Sequence, residues 1–259
     1  MFTDFPQWEW DVPEHFNIGV ACTDRHLGTE RQSNIAMIVE DDALGTATIT
    51  FAELAEKTDQ FAQVLRDLGV KPGDRVLIRL PNSLDYPIAF LGAMKMGAIS
   101  VPTSTLLTAE EVAYLAKDSG AQVLVTDAAA WYGMADAIVD TPALKHILLS
   151  HAAEIKPHPR FNVLDLATCL QAANPSGTTY QTKAEDPAYL VYTSGTTGFP
   201  KGVMNTHRTV QTFVAHFMMA CAYRNGRRPV NLAAAPITHT AGVLSIPTSA
   251  QGGTVVVVT

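Results

Sequence analysis

Two stretches of the chain carry the same punctuation, and they restrict the fold more than any other feature. Thr50-Phe51-Ala52-Glu53 and Thr108-Ala109-Glu110-Glu111 each place a threonine three residues before a glutamate. At that spacing the hydroxyl and the carboxylate satisfy each other's free amides at a helix start. After the first, Phe51, Leu54, Ala55, Phe61, Leu65 and Leu68 recur on one helical face up to Gly69, and glycine favours the left-handed turn that ends a helix. After the second, Val112 and Leu115 mark the apolar face and Gly120 the stop. Each helix gives way to a compact apolar run. Lys71-Pro72-Gly73-Asp74 turns into Arg75 to Leu80, with Val76, Ile78 and Leu80 on one side, and Gly120 precedes Gln122 to Thr126.

The same alternation continues along the chain. A helix through Phe90 and Met94 leads to a short strand at Ile99 to Val101, and His146 to Leu149 and Tyr189 to Tyr192 read as further strands. A helix is expected from about Thr206 to Tyr223, then strands at Leu232 to Ala235 and Thr254 to Val258. Strands separated by helices of this length build βαβ units, so the class is α/β with mainly parallel sheets flanked by helices. Between Asn174 and Asp186 the composition turns to Asn, Pro, Ser, Gly, Thr, Gln and Lys, which predicts an exposed connection and a subdomain boundary. Thr254 to Val258 is an apolar strand with no covering element after it, so the domain is expected to be incomplete at Thr259.

Length and charge remove several function classes. With 259 residues, 47% of them hydrophobic, the chain can bury a sizeable core. The 18 Lys and Arg against 25 Asp and Glu argue against nucleic acid as the main partner, and the cluster Arg224, Arg227 and Arg228 reads as a solvated loop. Cys22, Cys169 and Cys221 are an odd, widely spaced set that suggests neither disulfides nor a zinc site. Met1 to Trp10 lacks a signal-peptide pattern, and Phe213 to Ala222 is too short, and broken by His216, to span a membrane. A reducing, cytoplasmic setting is the expectation.

The chemistry concentrates in Tyr192-Thr193-Ser194-Gly195-Thr196-Thr197-Gly198-Phe199-Pro200-Lys201-Gly202. Glycines let the backbone approach a ligand, amides and hydroxyls can donate to anionic oxygens, and the lysine adds positive charge. Phosphate is the expected guest, although by composition alone a flexible polar turn is comparable. A P-loop NTPase is excluded, because there the lysine follows a glycine and precedes Ser or Thr, whereas Lys201 lies between Pro200 and Gly202. A second candidate is Pro236-Ile237-Thr238-His239-Thr240-Ala241-Gly242, where a lone histidine after a strand is by itself more often structural.

The run from Tyr192 to Val203 closely resembles the phosphate-binding signature of the acyl-adenylate-forming (AMP-binding) enzymes, which include acyl-CoA and aryl-CoA synthetases, luciferases and peptide-synthetase adenylation domains. Gly69 to Val76 with Leu80-Pro81-Asn82-Ser83, and Gly92 to Ala98 ending in Val101-Pro102, resemble the family's early turn, helix and strands. The resemblance extends from about Pro13 to Thr259. It implies that a carboxylate attacks the α-phosphorus of ATP to give an acyl-adenylate, from which the thiol of coenzyme A, as co-substrate, displaces AMP. Thr193, Ser194, Gly195, Thr196, Thr197, Gly198 and Lys201 would then hold the phosphates, with Thr193 as the hydroxyl nearest Mg2+.

The resemblance also places His239 beside the acyl carboxylate and the α-phosphate, through a Pro-x-x-His-x-x-Gly stretch of the CoA ligases. His207 matches a family position too, but Thr206 reads as a helix cap and His207 as structural. The opening Pro13 to Asn17 and Thr23 to His26 resemble the acyl-CoA and aryl-CoA branch, which implies a medium-sized fatty or aromatic acid as substrate. The family's Thr-Glu-like motif, ribose-binding aspartate, hinge and C-terminal lysine have no counterpart before Thr259. Residues 1–259 therefore read as part of the large N-terminal AMP-binding domain, with the C-terminal domain absent. The alternatives are a non-catalytic truncated module and a peptide-synthetase-type adenylation domain. The expected partners are a small carboxylic acid, ATP and CoA, with self-association left open.

Overall fold

The computed structural model describes residues 13–43, 45–175, 179–193, 199–221 and 228–259. The expectations for Met1 to Trp10, Ser194 to Gly198, Tyr223, Arg224 and Arg227 lie outside the described residues.

The chain opens with α1 (Ile18–Cys22), the antiparallel pair β1 (Ile35–Asp41) and β2 (Gly45–Thr50), and α2 (Phe51–Asp67). Then come β3 (Arg75–Arg79), α3 (Asp85–Lys95), β4 (Ile99–Pro102), α4 (Ala109–Ser119), β5 (Val123–Asp127), α5 (Ala128–Met134), β6 (His146–Ser150), β7 (Asn162–Asp165) and α6 (Leu166–Ala172). The last third adds β8 (Pro187–Thr193), β9 (Lys201–Thr206), α7 (His207–Ala220), β10 (Val230–Ala233), α8 (Thr240–Ala250) and β11 (Thr254–Val258).

Both capping boxes form. The Glu53 amide donates to Thr50 Oγ1 at 3.2 Å while the Thr50 amide donates to the Glu53 carboxylate at 2.8 Å. Thr108 and Glu111 repeat this at 3.3 and 2.8 Å. Gly69 and Gly120 take φ of +78° and +62°, the left-handed region that a side chain disfavours, so α2 and α4 stop where the glycines predict.

The strands form two sheets, of order β7-β6-β5-β3-β4-β8-β9 and β10-β11-β1-β2. In the larger one every pairing is parallel except that of the edge strand β9 with β8. Alternate residues of its central strands enter two separate cores. Val76, Ile78, Val123, Val125 and Leu148 pack with α2 and α3 residues such as Phe61, Leu65 and Met94. Leu77, Leu124, Ile147 and Leu149 pack with Leu115 of α4 and Trp131 of α5. Burial on both faces is why these strands read as continuous apolar runs.

Lys95, at the end of α3, is only 1% exposed and pairs with Asp24 at 2.7 Å and Asp59 at 2.5 Å. It also donates to Thr58 Oγ1 at 3.3 Å. One ammonium thus ties α3 to α2 and to the turn after α1.

Four expectations change. Lys201 does not lie in a loop: it begins β9, opposite Thr193, because the chain returning from the polar segment finds unpaired backbone groups along β8. The strand expected at 232–235 is β10, two residues earlier, since the chain leaves the sheet to form the turn at Pro236. The connection before β8 is not simply exposed. Thr182 and Ala184 are buried, and the Phe16 and Ala184 amides donate across to Thr182 and Glu14 carbonyls. Finally, β1 and β2 had no counterpart in the sequence reading, and they form half of the smaller sheet.

Candidate active site

The β8–β9 hairpin carries the glycine-rich segment. Thr193 and Lys201 are register partners at the end where the connecting segment leaves and re-enters the hairpin, and both are exposed. Thr193 Oγ1 reaches the Lys201 carbonyl only at 3.5 Å. Directly opposed residues of an antiparallel pair project to the same face, so the hydroxyl and the ammonium stand on one side of the hairpin. The other side leans on α4. Tyr192 donates its hydroxyl to Asp118 at 2.6 Å, Tyr114 donates to the Pro200 carbonyl at 3.2 Å, and the Tyr114 and Phe199 rings stack at 5.0 Å. Burial, aided by the Asp118 charge, pushes the Tyr192 phenol up, so it stays a neutral donor. Ser194, Gly195, Thr196, Thr197 and Gly198 lie outside the described residues.

His239 sits at the N-terminus of α8, as its N-cap. Its amide donates to the Pro236 carbonyl at 3.1 Å and its carbonyl accepts from the Gly242 amide at 3.0 Å. This back-folded turn explains the glycine. A Cβ on Gly242 would lie 1.8 Å from the Ile237 carbonyl oxygen, so only hydrogen fits where the first turn of α8 presses on the preceding loop. The loop is further held by Asn82, whose Oδ1 accepts from the Ile237 amide at 2.9 Å and whose Nδ2 donates to the Val258 carbonyl at 2.8 Å. Asn82 follows β3 of the large sheet, whereas Val258 ends β11 of the small one, so this one side chain stitches the sheets together beside His239.

His207 is structural, as expected. It is 1% exposed, its Nδ1 accepts from the Ile18 amide at 3.1 Å, and it begins α7 with Thr206 as the cap. Burial holds its imidazole down to about 4, with Asp186 acting weakly the other way. Cys22, Cys169 and Cys221 are free, and burial pushes the Cys22 thiol up to about 12.

A cavity of about 150 Å³ opens next to His239. Its walls are Thr238, His239 and Val243 around the start of α8, Tyr86 and Phe90 of α3, Pro102 of β4, and Tyr189 and Val191 of β8. Tyr189, Val191 and Thr193 alternate along one strand and share a face. The strand that delivers Thr193 and the turn that delivers His239 therefore border the same space, with Lys201 on the same side of the hairpin as Thr193. Sequence reasoning missed Tyr86, Phe90 and Asn82 as site residues, and Thr238, though inside the Pro236 to Gly242 stretch, was given no role. The available signals were the stretches Leu80 to Ser83 and Pro236 to Gly242 for Asn82 and Thr238, and for Phe90 only its place on an expected helix. A larger hollow, of about 820 Å³, lies between residues 15–25 and 179–182 and contains none of the predicted site residues.

Among the described residues no cluster of three or more His, Cys, Asp or Glu could hold a metal ion. Magnesium keeps several waters and binds through few protein oxygens plus substrate phosphates. The exposed, loosely engaged Thr193 hydroxyl is a hard oxygen donor of that kind.

The class is defined first by the fold, which is that of the N-terminal domain of acyl-CoA synthetases. An anthranilate CoA ligase, AuaEII, solved with anthranoyl-AMP, superposes on 95% of this chain and 45% of its own length, with a TM-score of 0.79 at 25% identity. The inhibitor-bound N-terminal domain of FACL13 from Mycobacterium tuberculosis superposes on 93% of this chain and 56% of its own, with a TM-score of 0.76 at 28% identity. At the level of sequence, the profile of the AMP-binding enzyme family matches residues 28–259, and the chain belongs to that family.

Curated relatives include the long-chain-fatty-acid–CoA ligase FadD13 of Mycobacterium tuberculosis, 32% identical over 79% of this chain and 38% of the relative. The 4-hydroxybenzoate–CoA/benzoate–CoA ligase of Rhodopseudomonas palustris is 32% identical over 81% of this chain and 37% of its own. The chain thus spans well under half the length of these curated relatives. Among the described residues no helix is long and apolar enough to cross a membrane.

Proposed function

We propose that the protein carrying these 259 residues activates a carboxylic acid with ATP and passes the acyl group to coenzyme A. The observation that carries this reading is the shared cavity: β8, which leads into the glycine-rich segment, and the turn holding His239 border one apolar space. In the first half-reaction a carboxylate oxygen forms a bond to the α-phosphorus as the bond to the β-phosphate bridging oxygen breaks, and pyrophosphate leaves with the electron pair. In the second, the CoA sulfur, having lost its proton, bonds to the acyl carbon and AMP departs with the electrons of the C–O bond.

Lys201 and the backbone and hydroxyls of residues 193–198 hold the β- and γ-phosphates, where fixed donors stabilise charge passing onto pyrophosphate. Thr193 offers its hydroxyl to magnesium, which supplies further neutralisation of phosphate charge when bound. His239 orients the carboxylate against the α-phosphorus. Its place at the start of α8 adds the positive end of a helix dipole to that site. Relatives named for fatty and aromatic acids support a substrate in that range.

The test is acid-dependent exchange of labelled pyrophosphate into ATP by the protein that carries this chain. His239→Ala is expected to slow exchange by about 100- to 1000-fold, the usual cost of one preorganised donor, with ATP binding in the absence of acid retained. Lys201→Ala is expected to weaken ATP use with a melting temperature close to that of the parent. Exchange driven by amino acids alone would assign the protein to the peptide-synthetase branch, and no exchange with any acid would leave the non-catalytic reading.

A further inference from the structure

The cavity beside His239 has a neighbour, and the wall between them is built from two aromatic rings. The second space, of about 40 Å³, is lined by Cys22, Met37, Leu91, Ile237, Gly242 and Ile246 among others, and it shares Tyr86 and Phe90 with the first. These two residues lie one turn apart on α3, are 5% and 6% exposed, and their rings stack at 5.5 Å with an interplanar angle of 13°. Tyr189 closes on Phe90 from β8, its ring 5.9 Å away. Burial pushes the phenols of both Tyr86 and Tyr189 up, so the wall is uncharged.

We infer that Phe90, backed by Tyr86, sets the length of the acid this site takes, and that the acid is a single-ring aromatic carboxylate. The inference rests on the activity proposed above and narrows its substrate. Three observations support it. The volume beside His239 is about 150 Å³, and an apolar cavity of about that size holds one benzene ring. The lining away from His239 is aromatic and aliphatic, offering ring faces and edges to an aryl guest.

The third observation lies at the His239 end, where Thr238 is 5% exposed and its buried Oγ1 has no hydrogen-bond partner among the described residues. A carboxylate held beside His239 would accept that hydroxyl's hydrogen bond and relieve an otherwise costly orphan. Beyond the ring, Tyr86 and Phe90 stand between this space and the second cavity, and close the direction in which a longer tail would reach it. Phe90 is therefore a specificity determinant, whereas Thr238 positions the carboxylate.

The experiment compares benzoate and octanoate as the acid in pyrophosphate exchange, with the protein that carries this chain. The parent is expected to favour benzoate in kcat/KM, and Phe90→Ala to move the benzoate-to-octanoate ratio toward octanoate by about tenfold or more, the scale on which apolar pockets discriminate size. Phe90→Leu, a smaller change to the core, is expected to move the ratio the same way by less. Val243→Phe, which fills the slot, should lose benzoate selectively. A parent that favours octanoate would overturn the inference. So would a ratio unchanged within about twofold in whichever Phe90 variant melts cooperatively.

A second readout separates this inference from the activity. Benzene titrated into the parent without ATP should shift the Val243 methyl resonances saturably, and Val243→Phe should abolish the response at a reporter on Val191. Saturable shifts without exchange on any acid would refute the proposed activity and leave the slot standing. Exchange without such shifts would refute the slot.

Discussion

The middle of the large sheet and the rim that carries the candidate site are made of similar residues under opposite conditions. In β3, β4, β5 and β6 the apolar side chains are buried on both faces, and the helices that cover them are capped and stopped by local signals. At the rim, β9 is exposed along most of its length, with Met204 at 67% and Val203 at 49%, and β10 exposes Leu232 at 65%. The rim is held instead by single polar ties: Tyr192 to Asp118, Tyr114 to Pro200, and Asn82 to Ile237 and Val258. Burial on two faces fixes a strand regardless of any one contact. The rim lacks that cover, so a few hydrogen bonds set its geometry.

Removing a buried charge from the middle should have the largest effect. Lys95→Met leaves the Asp24 and Asp59 carboxylates, 26% and 33% exposed, facing each other without their cation. Breaking such a buried pair costs about 3–5 kcal/mol, read as a fall in the urea midpoint with an unchanged slope. A midpoint close to that of the parent would mean that the middle does not depend on this ion cluster.

Acid should come next, and it acts at the seam between the two regions, where His207 joins α7 to α1. Its imidazole is held down to about 4 in the folded chain, below the ordinary value of about 6.5. A depressed histidine favours the folded state fully above its unfolded value, and that contribution disappears as pH falls. Stability should therefore decline between about pH 6.5 and 4, by on the order of 3 kcal/mol from this group. His26, also lowered, first by burial and then by Arg31 and Arg25, adds a decline of the same sign. Urea denaturation at stepped pH measures the slope, and His207→Gln should flatten it. A slope unchanged by that substitution would remove the seam from the account.

The smallest effect expected is at the rim itself. Asn82→Ala removes two hydrogen bonds beside His239 and should cost about 1–2 kcal/mol of global stability. The more telling readout is local: amide exchange at Ile237 should accelerate well before exchange in β3 or β5. Equal protection at both would show that the rim is as independent of its polar ties as the middle.

The legible parts of this molecule are those whose causes are local. Thr50 with Glu53, Thr108 with Glu111, Gly69 and Gly120 each do their work within a few residues, and Arg75 to Leu80 and Gln122 to Thr126 are legible as strands, although the second buried face of the first, at Leu77, is visible only in the structure. His239 and Gly242 could be singled out only through the resemblance of their stretch to that of the CoA ligases. The reason for the glycine, pressed against the Ile237 carbonyl, is visible only in three dimensions. Lys201 was found as a residue but misplaced, because polar residues with glycine read as a turn until a partner strand supplies their hydrogen bonds.

By itself, then, the sequence determined the α/β class, the ends of its capped helices and the stretches where phosphate and carboxylate chemistry is expected. Only the tertiary structure decided that β11, near the end of the chain, lies parallel to β1 with Val255 beside Met37, or that Phe90 of a core helix walls the space beside His239. The physical reason is one of range. Caps and stops are satisfied within a turn of chain. An apolar strand or ring carries no label for its partner, and the partner is selected only when distant segments compete to exclude the same water.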